Sequence, residues 1–187
     1  MLARTREAAA DIIRQFRERR VAKYYVALAD RRPSKKMGTI SGDMQRGRRG
    51  SWMLTRGTTN PAVTRFESCG VPGRRPGLRA VLLHPVTGRT HQLRVGMKSL
   101  GAPVLGDQRY AASAVATAED RTYLHCAALR FLVGGKPMQV VCPPVEGVEF
   151  SSEPFREVFS QWFSGLEDDV GVWFPDSKLL RSRPLAL

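Results

Sequence analysis

The sequence is short of the residues that most chemistries need. It has three cysteines, Cys69, Cys126 and Cys142, and no C-x-x-C pair among them. An odd number without that spacing speaks against a zinc site and against a secreted disulfide framework; free thiols in a reducing cytoplasm are expected. Its three histidines, His84, His91 and His125, have no metal-ligand spacing. His125 and Cys126 are neighbours on a predicted strand, so their side chains point to opposite faces and cannot share an ion. No metal is expected. No apolar run approaches the ~18 residues needed to cross a bilayer, so no membrane partner is expected. There is no internal repeat, P-loop, G-x-G-x-x-G, H-E-x-x-H or G-x-S-x-G. Acids are scarce too, with 17 Asp and Glu against 30 Lys and Arg, a net charge of +13. That excess suits a polyanion, because neutralising phosphates releases their counterions.

What is present reads as one domain. The chain has 187 residues and 42% hydrophobic content, enough for a real core. The first sixteen residues, MLARTREAAADIIRQF, resemble a transit peptide in composition, but Glu7, Asp11 and continuity with the next strand argue for an ordinary helix. Thr5 is its expected N-cap, and Ala9, Ile12, Ile13 and Phe16 form a stripe expected to pack into the core. Residues 21–29, VAKYYVALA, read as a central strand. Its adjacent tyrosines must face opposite ways, one to the core and one to a site. Residues 31–49 are basic and glycine-rich, with a short strand near Thr39 and Ile40; Lys35, Lys36, Arg46 and Arg48 are candidate phosphate contacts there. Residues 52–56, 62–68 and 78–84 read as strands, and 111–120 as a loop or short helix. Residues 122–133 and 138–142 read as a hairpin turning at Gly134-Gly135. Ser152 is the expected N-cap of a helix over 153–163, with Phe155, Val158, Phe159 and Trp162 on one face and Gly165 as its stop. Residues 1–165 then form the domain, and 166–187 a tail holding Asp168, Asp169, Trp173, Arg181 and Arg183. The fold class is α+β, a mostly antiparallel mixed sheet with helices on one or both faces.

The densest chemistry lies in residues 84–111. Arg89, Thr90, His91, Gln92 and Arg94 crowd a strand-to-helix junction, which presents donors to an anion or polar ligand. A helix starting near Thr90 places His91, Arg94 and Lys98 on one face, and Leu93, Met97 and Leu100 on its buried neighbour. Arg94 falls at the boundary. It wants either a ligand's phosphate or carboxylate, or an ion pair with an acid of this chain such as Asp107; both readings stay open.

Here the residues resemble a family. VTGRTHQLRVGMKSLGAPVLGDQRY is similar to the C-terminal signature of RluA-type pseudouridine synthases, P-x-T-G-[RK]-T-H-Q-[IL]-R … G-x-P-[IV]-x-G-D-x-x-Y. QFRERRVAKYYVAL resembles their Q-F-x-x-R-x-V-x-K-x-Y pattern, with K-x-Y-x-A in the strand. YLHCA at 123–127 resembles their L-H-A element. PSKKMGTISGDM and NPAVT resemble one bacterial subgroup. The matches run in order from Leu2 to about Phe163.

The resemblance implies the catalytic-domain fold of that family, incomplete at its N-terminus, and isomerisation of uridine to pseudouridine in RNA without a cofactor. The uridine is flipped out of its stack, an aspartate acts on the ribose–base linkage, and C5 is rejoined to C1′. By the same resemblance Tyr25 packs against the flipped base or helps deprotonate C5, Leu93 lines the base pocket, and Arg94 holds the aspartate ionised. Arg89, Thr90, His91 and Gln92 shape the site and contact RNA, with Lys98 on the same helix face. Gly106, Asp107 and Tyr110 form a structural turn that pins the following strand. The family's aspartate lies in R-L-D-x-x-[TS]-[SG]-G, ahead of a strand whose end resembles Met1 to Thr5, and no such motif occurs in this chain. The expectation is therefore a fragment or a late start, inactive alone, with an exposed sheet edge and either marginal stability or association. The expected partner is RNA, ribosomal RNA foremost, the compartment the cytoplasm, and the state a monomer. The alternative is a non-catalytic RNA-binding or ribosome-assembly protein on the same fold.

Overall fold

Thr5 accepts a hydrogen bond from the Ala8 N–H at 3.2 Å and so starts α1, Arg6–Arg17. A computed structural model describes residues 3–73 and 75–164 of the chain. Gly165 and the tail with Asp168, Asp169, Trp173, Arg181 and Arg183 lie outside the described residues, as do Met1 and Leu2.

The strands follow as β1 (Ala22–Ala29), β2 (Met37–Gly42), β3 (Met44–Arg46), β4 (Trp52–Leu54), β5 (Ala62–Gly70), β6 (Arg79–Pro85), β7 (Leu124–Val133) and β8 (Lys136–Val141). Six of them form one sheet in the order β2-β5-β6-β1-β7-β8, and each neighbouring pair is antiparallel. β3 and β4 form a separate two-stranded arm. β1 reads as almost all apolar because it is central and covered on both faces. On one face Tyr24, Val26 and Leu28 meet α4, Glu153–Phe163, through Phe155, Val158, Phe159 and Trp162. On the other, Ala27, Val81, Leu83 and Phe66 meet Leu93 and Met97 of α2, Gln92–Ser99. A short helix α3, Ser113–Ala116, precedes β7. The β7–β8 turn uses Gly134 and Gly135 at φ of 56° and 77°, the left-handed values that a two-residue hairpin turn requires.

Two expectations change. The stripe on α1 does not enter the core: Ile13 and Phe16 are 58% and 42% exposed, and Gln15 is the helix's buried residue. The Gln15 amide donates to the Leu132 carbonyl at 2.9 Å and accepts from the Leu132 N–H at 2.8 Å. Ala22 opposite Arg130 is the last β1 pair, so the next position on β7 needing a partner is Leu132. Gln15 supplies that partner from a helix, and Asp11 holds its amide at 2.7 Å. At α4, Ser152 occupies the cap position, but its hydroxyl donates to the Glu149 carbonyl and caps nothing.

Candidate functional site

β1 and β6 pair Tyr25 opposite Leu83, and β6 then runs through Pro85 into the junction that starts α2. This brings Tyr25, Leu93 and Arg94 to one pocket of about 180 Å³, also lined by Lys23, Thr87, Arg89, His91 and Leu124. Tyr24, one residue away, stacks on His84 at 4.8 Å on the opposite face.

Gln92 fixes the junction. Its amide nitrogen donates to the Val63 carbonyl and the Thr64 hydroxyl, both at 2.9 Å. Its oxygen accepts from the Thr87 hydroxyl at 2.8 Å and the Arg89 N–H at 2.9 Å. Two donors and one oxygen with two lone pairs are thereby satisfied, so Gln92 is a strut joining β5 to α2 and has no polar atom left for RNA.

Arg94 forms the ion pair that the sequence left open. Its Nε and one Nη donate to the two oxygens of Asp107 at 2.8 and 2.6 Å, and Asp107 has no exposed surface. The other Nη makes no hydrogen bond among the described residues, and Arg94 lines the pocket. Burial alone would raise the Asp107 pKa; the Arg94 guanidinium and the backbone N–H groups of Arg109 and Tyr110 outweigh it and hold the carboxyl below its usual range. Gly106 sets the approach: at φ 73° an added Cβ would lie 1.8 Å from the Arg121 carbonyl oxygen. The Thr122 hydroxyl donates to the Gly106 carbonyl, which ties this turn to the entry of β7.

Tyr110 gathers the polar face of α2. Arg94 and Lys98 lie 5.0 and 5.8 Å from its ring centre, and the His91 ring meets it edge-on at 5.7 Å. Its hydroxyl accepts from the Trp52 N–H at 3.0 Å and is 2.8 Å from His91 Nδ1. The hydroxyl can either donate to Nδ1 or accept from an Nδ1–H, so the pair links the two side chains in either His91 tautomer. Burial, then Arg94 and Arg109, lower the His91 pKa. His91 also holds a left-handed backbone at φ 56°, a local strain of the kind that collects at functional sites.

Tyr25 is a neutral phenol. Burial, and then the Cys126 thiol to which it hydrogen-bonds, push its hydroxyl up to about 12. Lys23 beside it is lowered, chiefly by burial.

A family model described as RNA pseudouridylate synthase matches residues 1–99, more than half of the chain. The chain belongs to the RNA pseudouridylate synthase family. An uncharacterized RNA pseudouridine synthase of Haemophilus influenzae is 46% identical over 147 residues, 79% of this chain and 63% of that protein. The dual-specificity RNA pseudouridine synthase RluA of Escherichia coli is 36% identical over 131 residues, 69% of this chain and 59% of that protein. The solved human RNA pseudouridylate synthase domain containing 1 matches with a TM-score of 0.66 at 33% identity, covering 76% of this chain and 62% of that one. The chain thus spans about six tenths of the length of these relatives.

Within this pseudouridylate synthase fold the expected site residues divide. Tyr25, Leu93, Arg94, Arg89, His91 and Gln92 share the pocket. Thr90 lines an adjoining cleft with Arg89, and Lys98 lies on the Tyr110 ring. Arg46 lies over the Trp52 ring, and Arg48 starts a 3-10 turn, Arg48–Gly50, whose Arg49 carbonyl accepts from Arg109. Lys35 and Lys36 do not join them. They precede β2 where Ser34 bonds to Leu100, at the far end of α2, about 13.5 Å from His91 at 1.5 Å per residue. Lys23, Cys126 and Trp52 escaped the sequence reading. Lys23 carried a signal, standing two residues before Tyr25 and so on its face; Cys126 and Trp52 carried none, because strand register and the arm's fold place them.

Proposed function

We propose that this chain is the RNA- and uridine-holding portion of an RluA-type pseudouridine synthase, which isomerises uridine in RNA, ribosomal RNA foremost. The observation that carries the reading is the convergence of Tyr25, Leu93 and Arg94, from positions 68 and 69 residues apart in sequence, on one small pocket. In that pocket Tyr25 would pack against the flipped base. Its raised pKa leaves no phenolate at neutral pH, which supports packing or proton donation over abstraction from C5. Arg94, kept charged and oriented by Asp107, offers its remaining Nη to the family's aspartate and would hold that carboxylate ionised. Leu93 and Leu124 would wall the base. The net charge of +13 and the Arg46 and Arg89 side chains supply phosphate contacts.

The isomerisation needs the aspartate, so the 187 residues alone would bind RNA without turnover, as a monomer, in the cytoplasm. Joined to a segment carrying the Arg-Leu-Asp motif, the chain should release tritium from ribosomal RNA labelled at uridine C5, and Arg94→Met should abolish the release. Binding to ribosomal RNA that is absent, or indifferent to salt between 50 and 200 mM, would sink the proposal. Sedimentation of the free chain checks the monomer.

A further inference from the structure

The β3–β4 arm stands beside the pocket, and between them lies a second cleft of about 510 Å³. Trp52, Gln45 and Met44 line one wall, and Asn60, Arg89 and Thr90 the other. Arg89 and Gly88 line both the pocket and the cleft, so the two adjoin. The volume falls in the range of small-ligand sites.

Trp52 is half-buried and stands directly opposite Arg46, whose guanidinium lies 5.8 Å from its ring centre. Leu54, two residues on and therefore on the same face of the arm, packs into the α2 core. The indole thus continues a buried surface outward into the cleft. Both ends of the cleft are fixed. At one, the Trp52 N–H is held by the Tyr110 hydroxyl, which also meets His91 of the pocket. At the other, the Asp43 carboxylate accepts from the N–H groups of Thr59 and Asn60, and the Asn60 side-chain oxygen accepts from Arg89. Both walls are therefore set before any ligand arrives. A flat aromatic ring on one wall and the Arg89 guanidinium on the other, in a groove adjoining a uridine-sized pocket, match how single-stranded RNA is held: bases stack and phosphates are paired.

We infer that this cleft holds the nucleotide next to the reacting uridine, its base stacked on Trp52 and its phosphate paired with Arg89. The inference rests on the RNA-binding reading above and adds a subsite to it. The test uses the 187-residue chain and 5′-labelled octauridylate, read by fluorescence anisotropy. Trp52→Phe keeps a stacking face and should bind within about twofold of wild type, and Trp52→Ala should bind about tenfold or more weakly. Met53→Ala, on the arm's outer face and 53% exposed, should bind as wild type does. Octauridylate carrying 5-iodouridine, irradiated with the unaltered chain, should crosslink at Trp52, which keeps the test valid if Trp52→Ala fails to fold. Equal affinity of the Ala and Phe variants, or crosslinks found only outside residues 44–54, would overturn the subsite and leave RNA binding standing. No affinity of the wild-type chain for octauridylate or ribosomal RNA would overturn the functional reading and the subsite together.

Discussion

Asp107 decides the geometry of Arg94, and its removal should be felt as the loss of a buried charge partner. Asp107→Asn should cost about 3–5 kcal/mol of stability in urea unfolding, because it leaves a half-buried guanidinium uncompensated. Its pH dependence has a definite sign. A carboxyl held below its usual value when folded contributes stability that is fully present above the unfolded value, about 3.9, and is lost as pH falls through the lower folded value. Thermal melts from pH 5 downward should show this loss in the wild type, and a smaller one in Asp107→Asn. The Arg94–Asp107 pair was legible as one of two options because the sequence spacing put a cation at a core boundary and an acid thirteen residues on. The saturation of Gln92 was not legible. It depends on Val63 and Thr64, 29 and 28 residues away, which only the β5–β6 register brings within reach.

Among elements, α4 and α1 show what periodicity can and cannot say. The apolar spacing of Phe155, Val158, Phe159 and Trp162 located α4 to the residue, and all four are buried. The same kind of spacing located α1, but a periodic stripe shows that a helix has an apolar face, not that the described fold covers it. α1 is anchored by Gln15, a polar residue off the stripe. Gln15→Ala should cost about 1–3 kcal/mol, the penalty for buried backbone groups left unpaired, and should speed hydrogen exchange at the Leu132 amide more than at amides of β5. The segment into β7 passes close against Gly106, where an added Cβ would meet the Arg121 carbonyl. Gly106→Ala should destabilise the chain more than Gly101→Ala, since both have positive φ but an added Cβ at Gly101 meets nothing within 4 Å. Comparing the two melting temperatures separates crowding from backbone preference.

For the whole molecule, charge and exposed apolar surface pull in different directions. The excess of thirteen positive charges keeps copies apart at low salt and draws in RNA, while Ile13, Phe16, Met138 and Val140 stay open to solvent. Replacing Ile13 and Phe16 together by Lys should leave urea stability within about 0.5 kcal/mol per site, as for surface changes, and should lower any self-association seen by sedimentation at high salt. The α+β class, the central strand and the family were legible because they rest on local pattern and ordered motifs. The mostly antiparallel sheet was legible too, but the order of its six strands and the coverage of both faces were not, since pairings such as β1 with β7 join segments about a hundred residues apart. The Gln15–Leu132 contact spans 117 residues, and this sets an order in time. On a ribosome α1 is made before β7, so its dock on Leu132 exists only once β7 has been made.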